Sequence, residues 1–177
     1  LKASDPVASD NFGWSTSISG DTIVVGANLE DSSTSGVLNG TGDPLGAGAS
    51  ESGAAYVFKR TGTTWVQEAA LKAADPVAAD IFGISSSISG DTIVVGAQHE
   101  DSSTSGVINA PYEPIDTGSP DSGAGYVFYR KGPASVYIQQ AMAQADPTTA
   151  FPITFTVEFS KKIDPATFNT ADITQTG

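Results

Sequence analysis

Cysteine is absent from the 177 residues, and histidine and methionine each occur once. Without thiols there is no disulfide framework, no thiolate nucleophile and no cysteine-ligated metal or iron–sulfur cluster. A single imidazole cannot build a His-rich zinc site. Positive charge is scarce as well: Lys and Arg total 8 against 20 Asp and Glu, for a net charge of −12 at pH 7. A surface of that sign repels phosphate backbones and anionic lipid headgroups, so nucleic acid is not an expected partner. No apolar run approaches the roughly 18 residues of a membrane helix, and no membrane insertion is expected. The opening Leu1-Lys2-Ala3-Ser4-Asp5-Pro6 has no initiator Met and no signal-peptide character, and it reads like the middle of a longer gene product. Charged residues make up only 16% of the chain, below the usual quarter. The polarity comes instead from Ser, Thr, Gly and Asn, a balance common among secreted β-proteins.

An internal repeat is present. Leu1-Lys2-Ala3 returns as Leu71-Lys72-Ala73, and Asp5-Pro6-Val7-Ala8 as Asp75-Pro76-Val77-Ala78. Phe12-Gly13 returns as Phe82-Gly83. The run Ile18 to Ala27 recurs unchanged as Ile88 to Ala97, and Glu30 to Val37 as Glu100 to Val107. Tyr56-Val57-Phe58 becomes Tyr126-Val127-Phe128, still with no gap. Residues 1–70 and 71–133 are therefore two copies of one structural unit.

Each copy reads as short strands. Thr22-Ile23-Val24-Val25 is β-branched and lies between Gly20-Asp21 and Gly26-Ala27, which are turn formers. Trp14, Thr16 and Ile18 alternate with Ser15 and Ser17. Ala54, Tyr56 and Phe58 share a face, as do Ala124, Tyr126 and Phe128, and both sets are expected to pack between sheets. Thr64-Trp65-Val66-Gln67 supplies a fourth strand. Period-two alternation dominates, and the expected unit is a four-stranded antiparallel sheet. The segments from Ala27 to Gly53 and from Gln98 to Gly123 lack strand character and are expected to be long loops.

A four-stranded sheet repeated at this spacing suggests a β-propeller blade. The order Phe-Gly, Ser-Ile-Ser-Gly-Asp, Ile-Val-Val-Gly-Ala, Gly-Ala-Ala-Tyr-Val-Phe resembles the FG-GAP repeat, the blade motif of integrin α-subunit propellers and of many bacterial surface proteins. Phe12-Gly13 and Phe82-Gly83 match its "FG", and Gly26-Ala27 and Gly96-Ala97 its "GA", while Asn28 and Gln98 stand where Pro is usual. The resemblance implies an extracellular or cell-surface module, with a protein or glycan as ligand. Two blades cannot close a ring. Either the chain is part of a larger propeller, or other copies of itself complete the sheets.

The pattern breaks at Lys131-Gly132-Pro133. Residues 153–160 alternate strictly between apolar and polar, as in a half-buried strand. Val136-Tyr137-Ile138, Gln144 to Thr148, Pro152 to Val157 and Phe168 to Ile173 together resemble the opening of a bacterial Ig-like module. At 134–177 it is too short for a whole sandwich of about 100 residues. The expected architecture is all-β: two four-stranded antiparallel propeller-blade-like repeats, 1–70 and 71–133, plus a partial Ig-like β-sandwich, 134–177.

Carboxylates are the abundant reactive groups. Glu30-Asp31 and Glu100-Asp101 recur at the same repeat position, and Asp43, Glu51, Glu113, Asp116 and Asp121 share their loops. Oxygen-rich loops of this kind suit calcium, which takes six to eight oxygen ligands. Calcium at Glu30, Asp31, Glu100 and Asp101 is therefore the candidate metal site. The Asp-x-Asp/Asn-x-Asp-Gly loop that holds calcium in integrin-type repeats is absent. The plain alternative makes Glu30-Asp31 a solvated loop start.

Catalysis has little support. No acid stands in an evidently apolar setting that would raise its pKa. No Gly-x-Ser-x-Gly elbow occurs. His99 has Leu29 as its counterpart, so a catalytic histidine is not duplicated. Trp14 becomes Ile84, a swap that suits a core position, and Lys161-Lys162 reads as a solvated basic spot. The expected function is a non-enzymatic extracellular binding, adhesion or scaffolding module of a large repeat-containing surface protein. The alternatives are a fibre or coat subunit assembled by inter-chain strand completion, and a fragment of a carbohydrate-active enzyme.

Overall fold

The computed structural model describes residues 1–4, 6–42, 47–107, 118–130, 136–140 and 155–159. Every regular element among them is a strand. Leu1–Arg130 forms one compact unit, and Lys131–Gly177 forms a second.

The first repeat is a meander. β1 (Phe12–Ser19) turns through Gly20-Asp21 into β2 (Thr22–Ala27), and β4 (Ala54–Thr61) turns through Gly62-Thr63 into β5 (Thr64–Leu71). β3 (Val37–Asn39) lies between them in sequence and pairs with the outer edge of β5, giving the antiparallel order β1-β2-β4-β5-β3. This corrects the expectation that residues 27–53 contain no strand. Three residues carry too little pattern to be seen, and β3 is a strand because the Ala69–Leu71 edge offers it a ladder. The second repeat sets β6 (Phe82–Ser89), β7 (Thr92–Ala97) and β8 (Ala124–Tyr129) in the antiparallel order of β1, β2 and β4, so the described sheets have five and three strands where two of four were expected.

Both copies share one irregularity. The register slips between Phe12 and Thr16 in β1, and between Phe82 and Ser85 in β6. The Phe-Gly pair sits at this bulge. Its glycine takes φ 91° at Gly83, which a side chain would resist, and the bend aims Phe82 inward to complete burial. Phe82 meets Tyr126 edge-on at 5.2 Å between ring centroids, and Phe12 meets Tyr56 likewise at 5.5 Å.

The two repeats stack face to face. Val24, Ala55, Val57, Ala69 and Leu71 of the first share one buried cluster with Phe82, Ile88, Ile93 and Val95 of the second. Each of the valine, leucine, isoleucine and phenylalanine side chains contributes roughly 1.5–3 kcal/mol when fully buried. Polar contacts fix the register. Ser15 Oγ donates to Gly83 O at 2.9 Å, and Ser17 Oγ and Ser19 Oγ accept from the N–H groups of Ile88 and Gly90. The partners advance together along both chains, so the sheets stack in parallel orientation. The loops that follow β2 and β7 therefore leave from the same end. The backbones come so close that a Cβ on Gly26 would strike the carbonyl of Gly83.

In the other face of the first repeat, Val25, Tyr56 and Phe58 are buried with Ala3 and Ala70. Trp14 is 59% exposed, which corrects its assignment to the core. The bulge turns it outward, and Phe12 takes the inward place beside Tyr56.

In the second unit, β9 (Val136–Gln140) pairs antiparallel with β10 (Phe155–Phe159). The rest of the Ig-like expectation, including Gln144 to Thr148 and Phe168 to Ile173, lies outside the described residues, as do Lys161-Lys162, Asp43, Glu113 and Asp116.

Candidate functional site

The chain leaves β2 by a tight turn in which Glu30 N–H donates to Ala27 O. That turn carries Glu30 inward. The residue is 3% exposed, so it is no solvated loop start. Its Oε1 accepts the Ser32 N–H at 2.9 Å, and its Oε2 accepts the Lys72 ammonium at 2.5 Å. Lys72 is itself 1% exposed and belongs to the opening of the next repeat. Its Nζ donates again, to Ser52 Oγ at 2.8 Å, and Ser52 Oγ donates onward to Ser32 O at 2.9 Å. Backbone bonds flank the pair: Lys72 N–H donates to Gly36 O, and Gly36 N–H to Ala73 O.

Asp31 does a second job. Its Oδ1 accepts the Glu51 N–H at 2.8 Å, and its carbonyl accepts from Ala49. The two adjacent acids thus close a loop of about twenty residues at its neck. The second copy repeats the device. Glu100 Oε1 accepts from Ser102 N–H at 3.1 Å, and Asp101 Oδ1 from Asp121 N–H at 2.8 Å. Ser122 Oγ donates to Ser102 O at 2.8 Å, as Ser52 does to Ser32. All four expected site residues therefore sit at equivalent necks, in two separate pairs. Among the described residues, no three acids or histidines converge into a group able to hold a metal.

Burial pushes the Lys72 pKa below its usual range, and the carboxylate of Glu30 opposes that shift. Asp10 lies in the same field. Its pKa is raised, first by burial and then by the charges of Glu30 and Asp31, while a backbone hydrogen bond from Val7 and the Lys72 charge pull it down. An acid in a pKa-raising setting is thus present after all, at a position whose sequence neighbours gave no hint of burial. The setting is structural: the Asp10 carbonyl also accepts from Leu29 N–H, tying the start of β1 to the loop.

Lys72 and Asp10 stand outside the expected site set. The signal that could have found them was the recurrence itself, since Leu-Lys-Ala and Asp10/Asp80 both return. His99 Nε2 lies 2.9 Å from Gln98 Nε2 at the start of the second loop.

A polar contact between the two sheets lies at the opposite end. Arg130 donates to Glu68 Oε2 at 2.7 Å and to Asp91 Oδ1 at 3.3 Å, whereas its counterpart Arg60 pairs with Asp21 alone and stacks over Trp65.

These features define a β-sheet repeat protein whose units pack face to face and whose acids fasten the connecting loops. The family model described as FG-GAP repeat matches twice, at residues 1–58 and 65–128, and the chain belongs to that family. No curated protein and no solved structure gives a match.

Proposed function

We propose that the chain is a non-enzymatic recognition or scaffolding module of an extracellular or cell-surface protein, with a protein or glycan as ligand. FG-GAP repeats are typical of extracellular and surface proteins, and no helix among the described residues is long and apolar enough to cross a membrane. The supporting observation is the paired loop. Two connections fastened by the same acids leave the same end of the stack, and each carries an exposed valine at the same repeat position: Val37, at the start of β3, is 49% exposed and Val107 is 89% exposed. Rigid sheets that hold loops in register are a common basis for binding surfaces. The tail is proposed as the beginning of an Ig-like module of bacterial type that spaces this surface from whatever follows.

The test is binding of the intact chain to a panel of matrix proteins and glycans. Changing Val37 and Val107 together to Ser is expected to abolish capture with no change in melting temperature. Capture that survives the double change would refute the loop reading. Calcium is a competing proposal for the loop necks, where it would bind Glu30 and Asp31, or Glu100 and Asp101. At the first neck it would have to displace the Lys72 ammonium.

A further inference from the structure

The internal interface joins two different faces. The first repeat offers Val24, Ala55 and Val57, with Ser15, Ser17 and Ser19 along its β1 edge. The second offers Phe82, Ile88 and Ile93, with the backbone of β6. The residues that build these faces recur in both copies with few changes, such as Gly125 for Ala55, so each face has a counterpart. On the second repeat the first kind of face is open: Val94 is 43% and Val127 is 54% exposed, and Ser85, Ser87 and Ser89 are exposed beside them. On the first repeat the second kind is open. Ile18 is 63% exposed where Ile88 is 7%, and a depression of about 520 Å³ runs along Leu1, Phe12, Thr16 and Ile18. Lys2, the counterpart of buried Lys72, is exposed on the same repeat.

We propose that these two open faces take each other, so that a second copy of this chain docks head to tail in the register already seen between the repeats. Continuity with the internal interface supplies the argument, residue by residue. Val94 and Val127 of one molecule would bury with Ile18 and Phe12 of the next, as Val24 and Val57 share one buried cluster with Ile88 and Phe82. Ser85 Oγ would donate to Gly13 O, and Ser87 Oγ and Ser89 Oγ would accept from the N–H groups of Ile18 and Gly20. The contact is heterologous, so it propagates instead of stopping at a two-fold dimer. It uses sheet faces and not the loop tips, and it stands or falls independently of the recognition reading.

Sedimentation velocity on the full chain tests this with Ile18→Arg, which blocks one face, and Val127→Arg, which blocks the other. The wild type is expected to rise above its 18.0 kDa monomer mass as concentration increases. Each variant alone is expected to stay at 18.0 kDa, and an equimolar mixture of the two to double to a capped pair, because each supplies the face that the other lacks. Gly96→Ala is a third probe. Its Cβ meets only the side chains of Ser85 and Ile84 within the chain, so it is expected to fold normally yet remain monomeric, as its Cβ would strike Gly13 O of the next copy. Circular dichroism confirms folding of each variant, and Ile18→Ser and Val127→Ser replace any that unfolds. A wild type monomeric at all concentrations, a mixture that stays monomeric, or association lost in one face variant only would each overturn the proposal.

Discussion

The ammonium of Lys72 lies 2.5 Å from Oε2 of Glu30, with both side chains removed from solvent and 42 residues apart in sequence. By sequence the lysine opens the next repeat, but in the fold it directly follows β5 of the same five-stranded sheet as β2. The acid that reads from sequence as a metal ligand therefore fastens its loop to the end of its own sheet, where the chain leaves β5 beside Gly36. Such a pair is a specificity device more than a large source of net stability, because desolvation offsets most of the attraction.

Close packing of backbone on backbone sets a strict size limit at Gly26. Gly26→Ala places a methyl group against the Gly83 carbonyl and is expected to destabilise the chain by about 1–3 kcal/mol. Gly96→Ala, the same change in the other copy, is expected to stay within about 0.5 kcal/mol of wild type. Urea titration of the two variants at low chain concentration checks the contrast, and equal losses would show that the limit does not arise between repeats.

The two equivalent phenylalanines differ in what covers them. Phe82 is fully buried between the repeats, while Phe12 is half-buried. Phe82→Ala is expected to cost about 3–5 kcal/mol, and Phe12→Ala clearly less. Thermal melts of both variants give the answer.

Asp10 gives a pH dependence of defined sign. Its folded pKa is raised above 3.8, so its protonated form favours the fold, and that contribution is complete below 3.8 and is lost as pH rises through the folded pKa. Above that window the ionised side chain opposes folding. Asp10→Asn keeps an acceptor for the Val7 N–H and removes the charge. It is expected to melt higher than wild type at pH 7, with the gain shrinking as pH falls through the raised pKa. A gain that grows toward acid pH would contradict this sign.

The Lys72 ammonium occupies the position that a cation would need at the first neck. Adding a calcium chelator to the purified chain is therefore expected to leave its melting temperature unchanged. A fall on chelation that added calcium reverses would favour the metal proposal for the necks.

Much of the architecture was legible because the repeat supplied its own control. β-branched runs between turn residues marked β2 and β7, and alternation marked the inward Tyr56 and Phe58. β3 escaped because its strand state comes from the edge at Leu71 and not from its own three residues. The outward turn of Trp14 escaped because a bulge breaks the period-two rule there. The role of Glu30 was hidden for another reason. Its partner lies 42 residues on, just past the end of β5, and neither composition nor spacing tells where that strand ends relative to the loop. Lys72 stood in plain sight at a repeat start, but only the pairing of β5 with β4 and β3 brings it to the neck.

A double-mutant cycle on Glu30 and Lys72, read by equilibrium unfolding at pH 7, tests the latch most directly. Lys72→Met alone leaves a buried carboxylate uncompensated and is expected to cost about 3–5 kcal/mol, with Glu30→Gln alone costing a similar amount. In the double variant, the amide oxygen that replaces the Glu30 carboxylate can still accept from the Ser32 N–H, and no buried charge remains. Its loss is expected to be no greater than that of either single change, a coupling of about 3 kcal/mol or more. Losses that simply add would mean the two residues do not act as one unit, and the loop latch would be disproved.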